Sequence, residues 1–88
     1  MRLDVVVEVR ARRGGIEAHA PSLSLSGHGE DAEAAVSCLK RGVEAWANAL
    51  LRSGELERAL NRRRVPYSES SGQEIEVELT IPETMMAG

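Results

Sequence analysis

Two hydrophobic periods divide the chain near Gly29. Before this residue, apolar side chains alternate with polar ones, and from Ala32 to Leu50 they recur at intervals of three and four. Alternation is typical of a strand with one buried face, whereas spacing of three and four is typical of an amphipathic helix. The sequence therefore predicts strands first and then one long helix.

Three strands are predicted before the helix. Leu3, Val5, Val7 and Val9 alternate with a second set made of Asp4, Val6, Glu8 and Arg10, and residues 13–15 contain the two glycines of a tight hairpin turn. Residues 16–20 alternate again and are expected to run antiparallel to the first strand. Pro21 lacks a backbone donor and suits a turn, after which residues 23–26 predict a short third strand.

The long helix is predicted over residues 31–52. Asp31 is placed to cap the helix by accepting from backbone N–H groups of the first turn, and Glu33 complements the positive end of the helix dipole. Gly54 is placed to end the helix in a left-handed conformation. The apolar stripe that is predicted to pack against the sheet contains Val36, Leu39, Val43, Trp46 and Leu50.

A second stripe, made of small residues, runs along the same helix. Small side chains at helical spacing let another backbone approach closely, so this flank is expected to meet the second helix or a neighbouring subunit. An 88-residue domain buries only a modest core, and a homo-oligomer, most simply a dimer, is therefore the expected state. The predicted interface contains Cys38, Gly42, Ala45 and Ala49.

The rest of the chain predicts a second helix and a last strand. Residues 55–63 fit a short helix that Pro66 stops, and residues 68–72 fit a polar loop. Residues 75–81 alternate more clearly than any other segment and predict strand four. Residues 83–88 are expected to form a flexible tail.

Together these elements predict a single α+β domain over residues 1–82, in the order β-β-β-α-(α)-β. A right-handed helical crossover returns the last strand parallel to the first. The predicted fold is therefore one four-stranded mixed sheet, with the strand order 3-2-1-4 and both helices on one face.

Charge and composition narrow the classes of function. A net charge of -3 and a pI of about 5.4 argue against a general nucleic-acid or anionic-membrane binder. No apolar run approaches the roughly 18 residues of a membrane span, and Met1 leads directly into a strand pattern instead of a secretory segment. The single Cys38 has no intramolecular disulfide partner. A cytoplasmic protein is the expectation.

Acidic residues on the predicted strands allow two interpretations. Asp4 and Glu8 on strand one, with Glu76 and Glu78 on strand four, could form a ribonuclease-H-like carboxylate cluster for Mg²⁺. Alternating acids are also typical of a solvated sheet face, on which arginines pair across strands. We favour the solvated face and expect no metal site and no catalysis.

The segment Gly-His-Gly at residues 27–29 precedes the helix N-terminus, where free N–H groups attract anions. Glu30, Asp31 and Glu33 already supply negative charge there, so a flexible strand exit is expected instead of a phosphate site.

Histidine and cysteine offer the other candidate ligands. His19, His28 and Cys38 lack the spacing of metal-binding motifs or of a nucleophile elbow. We expect solvated histidines and a packed thiol.

One basic cluster follows the long helix. Arg58, Arg62, Arg63 and Arg64 suit either contact with RNA or an acidic groove, or a solvated helix end that the helix dipole favours; we favour the solvated end. Trp46 is interpreted as a core anchor in preference to an exposed binding hot spot.

Three short segments surround the start of the long helix: Pro21-Ser22-Leu23, Gly29-Glu30-Asp31 and Ala34-Ala35-Val36. In this order they resemble the HicB-like antitoxins, a prokaryotic family with a partial ribonuclease-H-like fold. The family pattern is Pro-x-Leu-Pro-Gly and then Gly-Asp-Thr-x-x-Glu-Ala, in which Thr and Glu form a capping box. Here Asp31 replaces the Thr, Ala34 replaces its Glu partner, and Ser24-Leu25 replaces Pro-Gly.

The resemblance implies a non-enzymatic module, without a cofactor, that sequesters a small basic ribonuclease toxin. The acidic balance of the chain has the sign that complements such a partner. Many of these antitoxins carry an appended DNA-binding module, for which this chain has no room, so no operator binding is expected. The alternatives are an orphan homo-oligomeric domain with a structural or small-ligand role, and a Mg²⁺-dependent nuclease remnant.

Overall fold

The computed structural model describes residues 1–69 and 75–82, in which strands precede and follow a pair of helices. The described part is of the α+β class. The predicted tail at residues 83–88, and residues 70–72 of the predicted loop, lie outside the described residues. The elements are β1 Arg2–Val6, β2 Glu8–Arg12, β3 Gly15–Ala20, β4 Leu25–Gly29, α1 Ala32–Ser53, α2 Leu56–Arg62, β5 Tyr67–Ser68 and β6 Glu76–Thr80.

The prediction of one four-stranded sheet is wrong, because the described strands form two three-stranded sheets. One sheet has the order β5-β1-β6 and the other has the order β2-β3-β4. The predicted first strand is divided at Val7, whose N–H donates to the carbonyl of Thr80 at 2.9 Å. The part before Val7 pairs with β5 and β6, and the part after it pairs with β3.

The error arises because hydrophobic alternation does not show which strands lie side by side. An apolar residue stands at every second position from Leu3 through Val5 and Val7 to Val9, so the pattern carries no mark of the change in pairing partner. The strand β5 is only two residues long, too short for any period, and part of it fell in the predicted loop. β6 runs parallel to β1, as a helical crossover predicts, with Leu3 opposite Val77.

The third strand is longer and later than predicted. Residues 21–24 form a turn, in which the Leu23 N–H donates to the Ala20 carbonyl at 3.1 Å. β4 then continues to Gly29, and Gly27 lies opposite Ala18 of β3. The expected loosening of the strand by its glycines is therefore wrong.

The two glycines of β4 instead let α1 lie directly on the strand. A Cβ atom at Gly27 would lie 2.6 Å from the Ala35 carbonyl oxygen, and one at Gly29 would lie 2.5 Å from the Ala35 nitrogen. Both distances are shorter than real Cβ contacts. Glycine at these positions is thus a packing requirement of the helix–strand interface.

The core lies between α1 and the strands. The residues of α1 that are buried are Ala35, Leu39, Val43 and Ala47. Of the predicted stripe, Leu39 and Val43 are fully buried, whereas Val36, Trp46 and Leu50 are partly buried and pack against the core. Ala35 lies at the point where Gly27 and Gly29 bring α1 onto β4, and Leu39 and Val43 fill the core further along the helix.

Both ends of α1 are capped. The Asp31 carboxylate accepts from the Ala34 N–H at 2.8 Å, and Glu33 lies in the first turn. Gly54 has a φ of 77° and donates its N–H to the Leu50 and Leu51 carbonyls. Among the described residues, no helix is long and apolar enough to span a membrane.

Candidate functional site

A groove between α1 and α2 brings together side chains of the predicted apolar stripe and of the predicted basic cluster. Its volume is about 240 Å³. Trp46 and Leu50 of α1 are only partly buried, and α2 places arginines above them. The groove is lined by Trp46, Leu50, Glu55, Arg58, Ala59, Arg62 and Arg63.

Arg63 is held over the tryptophan. Its guanidinium carbon lies 5.8 Å from the centre of the Trp46 ring, within the range of a cation–π contact. Its Nη1 also donates to the Ser22 carbonyl at 3.4 Å. Arg64, the last member of the predicted basic cluster, has a left-handed φ of 57° and lines a different cleft. The fold therefore divides the cluster.

Sequence reasoning missed this groove because it depends on how α2 folds back. The Glu55 N–H donates to the Leu50 carbonyl at 2.9 Å, immediately after the left-handed Gly54, and α2 then packs against α1. The sequence contains one feature that could have indicated the groove. Arg58 and Arg62 are four residues apart and therefore share one face of a helix.

The outer face of the β5-β1-β6 sheet is acidic. Asp4 lies opposite Glu78 in the parallel register, and Glu76 lies opposite Arg2, which forms an ion pair with Glu78. Val6, on the same face, is 49% exposed and is one of two large exposed apolar residues in the described part of the chain.

The predicted carboxylate set is not brought together as one cluster. Asp4, Glu76 and Glu78 share the outer face of the β5-β1-β6 sheet, whereas Glu8 belongs to β2 and accepts from Arg10 at 2.7 Å. Within residues 1–69 and 75–82, no group of three or more histidine, cysteine or acidic side chains is placed to hold a metal ion.

The outer face of the β2-β3-β4 sheet carries both histidines. Glu17 accepts from the Arg12 guanidinium at 3.0 Å and lies 3.4 Å from the Nε2 atom of His28. The hydrogen bond from Arg12, together with the nearby positive charge of Arg12 and the two histidines, lowers the pKa of Glu17 below its ordinary value.

On the same face, the Nδ1 atom of His19 lies 2.8 Å from the Ser26 hydroxyl oxygen. Glu8 lies across from His19 in the register, which suggests the chemical order of a hydrolase triad. The Glu8 carboxylate is instead bound by Arg10, and the pair of His19 and Ser26 is exposed on a sheet face. Cys38 belongs to α1, which packs on β3 and β4, and it therefore lies apart from the exposed pair of His19 and Ser26. The structure therefore assembles no nucleophile from these described residues.

The predicted small-residue flank of α1 is largely open. Gly42, Ala45 and Ala49 are exposed, and Cys38 is partly buried. A Cβ atom at Gly42 would meet nothing within 4 Å. This side of the helix is thus free to receive a second surface.

Comparison with protein-family models, with curated proteins and with solved structures finds no match to this chain. The resemblance to HicB-like antitoxins thus depends on the short segments around the start of α1.

Proposed function

We propose that this protein is a non-enzymatic binding module of the HicB antitoxin type, which sequesters a small basic ribonuclease toxin. The observation that carries the proposal is the acidic outer face of the β5-β1-β6 sheet with the exposed Val6 beside its carboxylates. Val6 lies opposite Thr80 and two residues from Asp4 on the same face of β1, and an apolar side chain near a carboxylate suits a partner that carries arginine or lysine around an apolar contact.

The charges on this face favour a cationic partner. Adjacent strands lie about 4.8 Å apart, so Asp4 and Glu78 hold two negative charges side by side. Like charges in such positions repel; Arg2 forms an ion pair with Glu78, and Arg64 lines a cleft with Asp4 at the edge of this face. A basic side chain of the partner, placed between these carboxylates, relieves that repulsion, and long-range attraction speeds the encounter.

A matched pair of charge reversals tests this surface. Where a small basic protein is encoded beside this chain, that protein is the probe, and it is co-expressed with the chain and then titrated against it. We expect Asp4→Arg with Glu78→Arg to weaken binding by about tenfold or more, because paired charges become repulsive. Glu30→Arg with Glu44→Arg makes the same change in net charge away from the face and should leave the affinity nearly unchanged.

Two further measurements test the proposal: the association rate as a function of ionic strength, and DNA binding by the chain alone. Association should slow as ionic strength rises, since screening limits attraction to about 8 Å near physiological salt. Failure to bind any such neighbour, or equal effects of both double variants, would contradict the proposal. Sequence-specific DNA binding by the chain alone would contradict it as well.

The second candidate is an orphan homo-oligomeric domain with a structural or small-ligand role. The open flank formed by Gly42, Ala45 and Ala49 favours it, since a second helix can approach closely there. Failure of the chain to bind any small basic neighbour, together with an isolated gene, would favour this candidate over the antitoxin module.

A further inference from the structure

We propose that the groove between α1 and α2 binds an acidic peptide segment that inserts one apolar side chain between arginines. This surface is distinct from the acidic face invoked for a basic partner and has the opposite charge. The inference therefore goes beyond the antitoxin function.

The size and floor of the groove fit a side chain. A volume of about 240 Å³ is below the range of roughly 300–1,000 Å³ that is typical of small-molecule pockets. Trp46, Leu50 and Ala59 supply its apolar lining. A tryptophan that is partly exposed in a groove is the kind of residue that dominates protein-binding energy.

The rim of the groove selects carboxylates. Arg58 and Arg62 are exposed and lie four residues apart on α2, where like charges repel. Neither has an ion-pair partner among the described residues. Glu55 is the only acid in the lining, so three arginines leave the groove positive. The planar fork of a guanidinium takes a carboxylate through two parallel hydrogen bonds.

A peptide fits this groove better than nucleic acid. Single-stranded nucleic acid binds by stacking its bases on exposed aromatic faces along an extended basic track. Here Arg63 already lies over the ring of Trp46. The lining arginines are Arg58 and Arg62 of α2 and its C-cap Arg63, so they cover only a short stretch, and Glu55 interrupts the positive surface at its start.

Selection from a peptide library tests the chemistry without a known partner. Short random peptides that lack tryptophan are displayed and panned against the folded chain, and the enriched sequences are synthesised. We expect enrichment of an apolar residue flanked by aspartate or glutamate. Trp46 is the only tryptophan of the chain, so a change in its emission reports occupancy of the groove directly.

Two double variants of equal charge change decide whether the arginines bind the peptides. Arg58→Glu with Arg62→Glu should weaken binding by about tenfold or more, because two charge-assisted contacts are lost. Arg41→Glu with Arg52→Glu alters α1 outside the groove and should change the affinity by less than about threefold, since exposed charges at a distance are screened. Circular dichroism confirms that each variant is folded.

Several outcomes would overturn the proposal. These are recovery of no peptides, enrichment of peptides without acids, equal losses in the two double variants, or unchanged Trp46 emission on binding. Tighter binding of an oligouridylate than of the peptides would assign the groove to nucleic acid. A concentration-dependent emission shift of the chain alone would assign it to a second copy.

Discussion

Gly27→Ala provides a sharp test of how α1 packs on β4. The added Cβ would lie 2.6 Å from the Ala35 carbonyl oxygen and 2.8 Å from the Leu39 Cα. Both are backbone atoms within the helix, so no flexible side chain can move aside. The helix has to shift from the strand, and the contacts of Leu39 with the core are disturbed.

The expected cost follows from overpacking. Extra carbon atoms in a packed core destabilise by about 1–3 kcal/mol, and a clash with backbone belongs at the upper end. For a chain of this length, total stability is on the order of 4–13 kcal/mol. A loss of about 3 kcal/mol would lower the midpoint of thermal unfolding by roughly 12–24 °C.

Gly42→Ala is the matched control when unfolding is measured on the monomer, at concentrations too low for self-association, because within one chain it makes the same change in the open. Nothing lies within 4 Å of a Cβ at Gly42, which is exposed in the middle of α1. Alanine favours the helix by up to about 1 kcal/mol over glycine, so this variant should be more stable than wild type. Thermal and urea unfolding followed by circular dichroism should therefore move in opposite directions for the two variants. A Gly27→Ala protein within about 1 kcal/mol of wild type would refute the close approach of α1 and β4.

Three further predictions concern the helix cap, an ion pair and self-association. Asp31→Ala should cost about 1 kcal/mol of unfolding free energy, since the bond to the first turn is lost; unchanged urea unfolding would show that the cap contributes nothing. The pKa of Glu17 is lowered in the folded state, so its contribution to stability is complete above its ordinary value of 4.5 and is lost as pH falls through the lower folded value. Arg12→Gln should return that pKa towards 4.5 in an NMR titration, and an unchanged pKa would show that Arg12 is not the cause. Light scattering at tens of micromolar should give twice the chain mass for wild type, with a monomer for Ala45→Arg; a 9.5 kDa species alone in wild type would exclude the dimer.

The sequence predicts the local features of this fold well and its pairings less well. Asp31 and Gly54 end the helix where their own chemistry places them, because capping depends on residues within one turn. The division of the first strand at Val7 depends on which strands lie beside it, and alternation is the same on both sides of that residue.

The same limit applies to the candidate sites. From sequence alone, glycines in a strand indicate a weakened strand. At Gly27, however, glycine is required because the backbone of α1 packs directly on it. Trp46 belongs to the apolar stripe in sequence, yet its exposed side is set by where α2 returns after Gly54. In both cases the element that packs against the residue lies far from it in sequence, so the local hydrophobic pattern contains no information about the contact.

The pairing of β1 with β6 has a consequence for synthesis of the chain. Leu3 is opposite Val77, so the first strand leaves the ribosome long before its parallel partner exists. At about 5–20 residues per second, that delay is roughly 4–15 s. During this time β2, β3, β4 and α1 can assemble through contacts between neighbours in sequence, whereas the edge of β1 that pairs with β6 remains unpaired. We therefore expect the unpaired edge of β1, and not β6, to be the part of this fold that is most open to aggregation during synthesis.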